Sequence, residues 1–318
     1  MEVRKVNGFF IIFVIGYIGL SVVCASIMAY AQNSGIAVPD WIQYVMSEGI
    51  MLLIAIIYMI VQKIDPIREI PYKRIGIVDV ILSLVAGYCL IPAVLLISNL
   101  SMLFSTNYLE EGTTTLLTYP FAMQVILLAV IPPLVEELIF RGIFFGSYRK
   151  AGMTDAALMS GLLFGCFHLN INQALYAFVM GIVFAYMVEA TGSLWSSVIA
   201  HFAVNTYSIG IVQILKMVGI YAQDGSVSET FENAESVAGQ STAVTVVQIA
   251  MIAVIAAVFM MLAVLCIRTM AKRHGNLEKM KIQEVKLSHI KNYFTAPVIV
   301  GIVVCVMYMI MLEFSGTL

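Results

Sequence analysis

The stretch LLTYPFAMQVILLAVIPPLVEELIFRGIFFGSY, residues 116–148, decides how this chain folds. It is apolar and long enough to cross a bilayer, which takes roughly 17 to 25 helical residues, yet it holds Glu136, Glu137 and Arg141 in its interior. An ionisable residue at such depth costs roughly 2.5 to 3.5 kcal/mol on insertion scales, so each one needs a partner or a task. Pro120 and the pair Pro132-Pro133 predict a kink, with a fresh helical turn beginning after it. On that helix Glu137 and Arg141 are i and i+4 and share a face, whereas Glu136 is turned about 100° away and keeps its carboxylate free. One base needs only one acid. The extra Glu must be held protonated, hydrated in a cavity, or paired with a group on another helix.

The rest of the chain explains why so few charges matter. Its 318 residues are 61% hydrophobic and 11% charged, with a mean hydropathy of +0.97, whereas soluble domains run near ~25% charged. This is the composition of an integral membrane protein. With 17 basic and 19 acidic residues the net charge is −2, which excludes both a basic nucleic-acid binder and an acidic disordered chain. The five cysteines, Cys24, Cys89, Cys166, Cys266 and Cys305, show no metal or disulfide spacing. They read as small buried apolar residues.

Apolar runs at 9–31, 41–61, 77–104, 116–148, 156–168, 174–190, 194–215, 243–267 and 296–311 predict an all-α polytopic bundle of eight to nine spans, nine in this count. The fifth and sixth runs are short, as half-length or tilted helices meeting near Asn170 to Asn172 would be. Three regions follow: N-terminal spans over 1–115, a core over 116–215, and an outer loop with two further spans over 216–318. Fifteen of the 17 basic residues fall before the first span or after the second, fourth and eighth. Because cytoplasmic loops carry the excess of Lys and Arg, the N-terminus reads as cytoplasmic and the C-terminus as extracytoplasmic. The apolar core of the first span is too long for a signal peptide, so it reads as an uncleaved helix. Segment 268–291 reads as a solvated basic loop, 223–240 as a mobile outer loop, His274 and His289 as surface residues, and Asp79 and Glu48 as ordinary polar positions near span ends.

Partners for Glu136 exist on other runs. His168 ends the fifth, and His201 and Asn205 lie i and i+4 on one face of the seventh. At ~1.5 Å of rise per residue, Glu136 lies about 15 Å and His201 about 10 to 12 Å from the cytoplasmic end of their helices, with His168 near ~20 Å. These groups can meet near mid-membrane. Gly161 and Gly165, then Ala177, Gly181 and Ala185, have the small-residue spacing that lets helices approach closely.

These residues carry a family resemblance. Glu136, Glu137 and Arg141 match an EExxxR motif, Phe164 and His168 an FxxxH motif, and His201 and Asn205 an HxxxN motif, with Thr191-Gly192-Ser193-Leu194-Trp195 and Phe178 with Gly181 as supporting segments. Over residues 122–207 the chain resembles the CPBP family of intramembrane proteases, which includes type II CAAX prenyl endopeptidases and bacteriocin-immunity-like (Abi) proteins. The resemblance implies that Glu136 and His168 activate a water molecule, that His201 and Asn205 stabilise the oxyanion, and that Glu137 and Arg141 support Glu136. Such chemistry needs a base beside the water and donors where negative charge develops.

No cofactor is the preferred expectation, although Glu136, His168, His201 and Asn205 are also types that ligate Zn²⁺ with an open position for water. No HExxH is present. The expected partner is a peptide or membrane-protein substrate, possibly lipidated, met in the bilayer of a bacterial plasma membrane from the cytoplasmic side or laterally. Two other classes stay open: a non-catalytic scaffold or immunity factor, and a proton-coupled transporter using the buried Glu and His as a relay.

Overall fold

Within hydrocarbon every backbone N–H and C=O must be satisfied internally, and the chain meets that demand with helices. The computed structural model describes residues 3–106, 118–150, 152–219, 242–282 and 292–315, and among these there is no strand. Nine helices carry the fold: α1 (Val3–Asn33), α2 (Trp41–Val61), α3 (Ile77–Ser101), α4 (Phe121–Tyr148), α5 (Met153–Phe167), α6 (Ile171–Thr191), α7 (Leu194–Met217), α8 (Thr242–Arg273) and α9 (Ala296–Ser315). Eight are long and apolar enough to cross a membrane, while α5, with 15 residues, is shorter. The segment 223–240, Glu110, Glu111, Lys286, His289 and Lys291 lie outside the described residues.

Two sequence expectations are corrected here. The sixth run is not short: α6 has 21 residues, because Asn170 caps it by accepting the Gln173 N–H at 3.1 Å. The α5–α6 junction is therefore only a few residues, with Leu169 in the left-handed region at φ 54°. Nor is the chain after 267 a loop from the start, since α8 continues to Arg273. That extension brings Arg273 Nε and His274 Nε2 to within 3.1 and 3.0 Å of Asp79. Asp79 is only 2% exposed, so it is not the ordinary polar position expected, whereas His274 is at the surface as expected and bonds it from there.

Helix α4 is rewound rather than broken at its prolines. It alternates π-wound turns at Val125–Val130 and Leu138–Phe145 with an α-helical Ile131–Glu137 that has Pro132 in its first turn. Proline has no N–H to give, so the carbonyl of Leu128, four residues before Pro132, lacks its helical donor. Asn205 of α7 supplies one, Nδ2–H to Leu128 O at 3.0 Å. In the second π-wound stretch the Phe140 carbonyl accepts the Ser160 hydroxyl of α5 at 2.8 Å. Such π turns need outside partners and often mark functional sites.

The loops after α2, α4, α6 and α8 meet at one end of the bundle. Leu194 N–H reaches Pro71 O at 2.7 Å, the Ser193 hydroxyl donates to Lys73 O, Arg149 pairs with Glu189, and Asn276 donates to Ala190 O at 3.1 Å. The α6–α7 turn fits there because Gly192 takes φ 68°, a conformation that suits glycine at a helix C-terminus. At the opposite end Asn172 binds Ser98 and Ser101, and Glu313 accepts from Thr106 N–H.

Helices α5 and α6 touch backbone to backbone. A Cβ on Gly165 would stand 2.5 Å from Ala174 O, and one on Gly161 2.8 Å from Phe178 O. Gly210 has nothing within 4 Å of that position. Overpacking a close contact costs about 1–3 kcal/mol or more. Gly165→Val is therefore expected to lower the thermal midpoint of detergent-purified protein by several degrees, with Gly210→Ala unchanged to within a degree or so.

Candidate active site

Four helices, α4 to α7, bring the motif residues together. The centre is an ion pair: Arg141 Nη1 stands 3.0 Å from Glu137 Oε1, both side chains 0% exposed. Charge and aromatic faces hold the guanidinium, with its carbon 4.2 Å from the centre of the Phe164 ring and 5.3 Å from that of Phe184. Its nitrogens lack well-aligned hydrogen bonds, and the pair is held at ion-pair distance only. Gly181 makes room for it, since a Cβ there would meet Arg141 Nη2 at 3.0 Å and Gly161 Cα at 2.7 Å.

Glu137 reaches further. Its Oε1 lies 3.1 Å from His201 Nδ1; a carboxylate only accepts, so Nδ1 carries the hydrogen. That bond fixes the imidazole and turns Nε2 toward Glu136, whose Oε2 is 3.7 Å away. Glu136 Oε2 has no hydrogen-bond partner, and its side chain is 16% exposed. The Oε2 of Glu137 also lacks a hydrogen bond, but the two adjacent glutamates differ in surroundings: Glu137 is wholly buried with Oε1 shared by Arg141 and His201, whereas Glu136 is partly exposed and pairs with neither base at hydrogen-bond distance.

His168 sits at the C-terminal end of α5, where its Nδ1 lies 2.8 Å from Phe164 O. A carbonyl also only accepts, so in the neutral ring Nε2 keeps the lone pair. Among the described residues, neither His168 nor Asn205 hydrogen-bonds to Glu136. The Phe164 ring packs edge-on against both imidazoles, 4.7 Å from His168 and 5.9 Å from His201, and so spaces them. Asn205 commits one amide hydrogen to Leu128 O and has a second to give. Among the described residues no three His, Cys, Asp or Glu side chains are placed to hold a metal ion.

Glu48, expected from sequence to be an ordinary polar position near a span end, is more than that. It lies eight residues into α2, which packs on the Ile131–Glu137 stretch of α4, and its Oε2 is buried without a hydrogen-bond partner. A lone acid inside the second apolar run was the available signal. Tyr17 of α1 bonds its neighbour Ser47 at 2.7 Å. A cavity of about 510 Å³ beside His168 is lined by Tyr17 and other residues of α1, α2, the α5–α6 junction and α9.

Residues 118–207 match a family model described as "Type II CAAX prenyl endopeptidase Rce1-like". Over 88 residues the chain is 33% identical to the protein named "Putative membrane peptidase YdiL" of Bacillus subtilis (strain 168), a match covering 27% of this chain and 36% of that protein. The chain thus spans about a third of the length of the curated relative it matches. No solved structure matches it. The family match contains every motif residue above, whereas Tyr17, Glu48, α8 and α9 fall outside it.

Removing one partner of a buried ion pair leaves a bare charge and costs about 3–5 kcal/mol, while replacing both by apolar residues is far less harmful. Glu137→Ala and Arg141→Ala are each expected to lower the thermal midpoint strongly in detergent. The double variant Glu137→Leu/Arg141→Leu should recover a good part of that loss.

Proposed function

We propose that this chain is an intramembrane endopeptidase of the CPBP family whose base is Glu136, a reading supported by the match of residues 118–207 to a type II CAAX prenyl endopeptidase model and by the likeness to the protein named "Putative membrane peptidase YdiL". The observation that carries this reading is the unequal pair: Glu137, wholly buried, spends Oε1 on Arg141 and His201, whereas Glu136 is 16% exposed and sets its unbonded Oε2 3.7 Å from His201 Nε2. In a hydrolytic step, Glu136 with His168 Nε2 takes a proton from water as the water oxygen bonds to the peptide carbonyl carbon. His201, oriented by Glu137, and the second amide hydrogen of Asn205 stabilise the oxyanion. The proton then passes to the amide nitrogen as the C–N bond breaks, leaving a carboxylic acid and an amine, between which the acid proton then transfers to give a carboxylate and an ammonium. Glu137 and Arg141 are positioning residues.

Zinc is the group this family resemblance raises. Among the described residues Glu136, His168 and His201 do not close into a three-ligand cluster, and Asn205 spends its amide on a proline-orphaned carbonyl. This supports a reading in which no step runs through a metal. The substrate is a peptide or a segment of a membrane protein. The meeting of the basic loops at one end of the bundle supports a cytoplasmic N-terminus and an extracytoplasmic C-terminus, in a bacterial plasma membrane.

Comparison of membrane-peptide profiles tests the reading. Cells carrying wild type are expected to contain cleavage products absent from cells carrying Glu136→Ala, His168→Ala or His201→Ala at equal protein level, each variant losing at least about 100-fold in turnover. Identical profiles would contradict it. With a product peptide in hand, o-phenanthroline should leave the activity of purified protein unchanged, and chelator-sensitive turnover with stoichiometric zinc would overturn the metal-free step.

A further inference from the structure

The cavity beside His168 has a side. Its α1 lining begins at Tyr17, about 20 Å along the helix from Val3, and runs to Ala25. Its α2 residue, Tyr44, is in the first turn of that helix, the α5–α6 junction supplies His168 and Asn170, and α9 contributes Tyr308 and Leu312 near its C-terminal end. All these positions lie toward the bundle end that holds Asn172 with Ser98 and Glu313 with Thr106. The basic loops lie at the other end.

Its lining is also mixed. Tyr17, Ser21, Tyr44, His168, Asn170 and Gln173 place hydroxyl, imidazole and amide groups among apolar side chains. A lipid chain needs no such groups. An extended polypeptide at membrane depth does, because each of its N–H and C=O groups must find a partner there. The strained Leu169, with φ 54°, turns the backbone between His168 and the Asn170 cap, both on this lining.

We infer that this cleft is where the substrate polypeptide lies, and that it is entered from the bundle end opposite the basic loops, the extracytoplasmic side. The inference rests on the protease reading and adds a substrate class to it: an extracytoplasmic or outer-half segment of a membrane or exported protein, rather than a cytoplasmic tail. It differs from the entry expected from sequence, which was from the cytoplasmic side or laterally from the bilayer.

Two measurements test it. In a Cys24→Ser background, Ser21→Cys and Gln173→Cys are expected to react with a membrane-impermeant maleimide added to intact cells. Reaction only after permeabilisation, or none at all, overturns the proposal while leaving the protease reading intact. Ser21→Trp or Val22→Trp, whichever accumulates at wild-type level, should reduce at least tenfold the same products lost in Glu136→Ala cells, and the cut sites should map to the outer half of their substrates. Unchanged products in the filled cleft, as a lipid-occupied cavity would give, or cut sites in cytoplasmic segments overturn it. No difference between wild type and Glu136→Ala overturns the protease reading and this inference together.

Discussion

The buried pair of Glu137 and Arg141 is the constraint on which the rest depends. Two charges taken out of water lose several kcal/mol of solvation each, and only close geometry with further favourable contacts restores it. Here the restoration draws on every neighbouring helix: the Phe164 ring from α5, the Phe184 ring and the open face of Gly181 from α6, and His201 from α7. A single salt bridge therefore fixes how four helices approach. The backbone contact of α5 with α6 through Gly161 and Gly165 is the packing that allows it.

The same pair divides labour between two consecutive glutamates. Once Glu137 is committed, its free lone pair orients His201, and the helical turn of about 100° sends Glu136 elsewhere. Proline adds to this division. By removing the donor to the Leu128 carbonyl it creates a buried acceptor, and Asn205 fills it, so the residue proposed to offer a hydrogen to an oxyanion is itself held in place by the backbone of α4. Fold and site share the same hydrogen bonds. Under the proposed mechanism a substitution of Asn205 or Glu137 would disturb structure as well as chemistry, which leaves Glu136 as the cleaner probe.

Much of this was legible in the residues. Helical content followed from apolar runs longer than a bilayer, and the Glu137–Arg141 pair from i, i+4 spacing inside one of them. Other features required three dimensions. The full length of α6 depended on the Asn170 cap, a local bond invisible to hydropathy. Asp79 looked like a span-end polar residue because its partners, Arg273 and His274, are nearly two hundred residues away in sequence. Glu48 looked like an ordinary span-end polar residue for a similar reason: only the packing of α2 on Ile131–Glu137 of α4 shows that its carboxylate is buried without a partner. Motifs mark the matched core from 118 to 207, but the cleft beside it is built mostly from α1, α2 and α9, where no motif exists.

The most direct measurement of the central claim takes Glu136→Gln, which keeps the size of the side chain and removes its basicity. Turnover of a product-defining peptide and the thermal midpoint are read on the same purified sample. The account predicts a midpoint within a degree or so of wild type, since Glu136 Oε2 holds no hydrogen bond, together with turnover reduced at least about 100-fold. Retained turnover in that folded variant would contradict it.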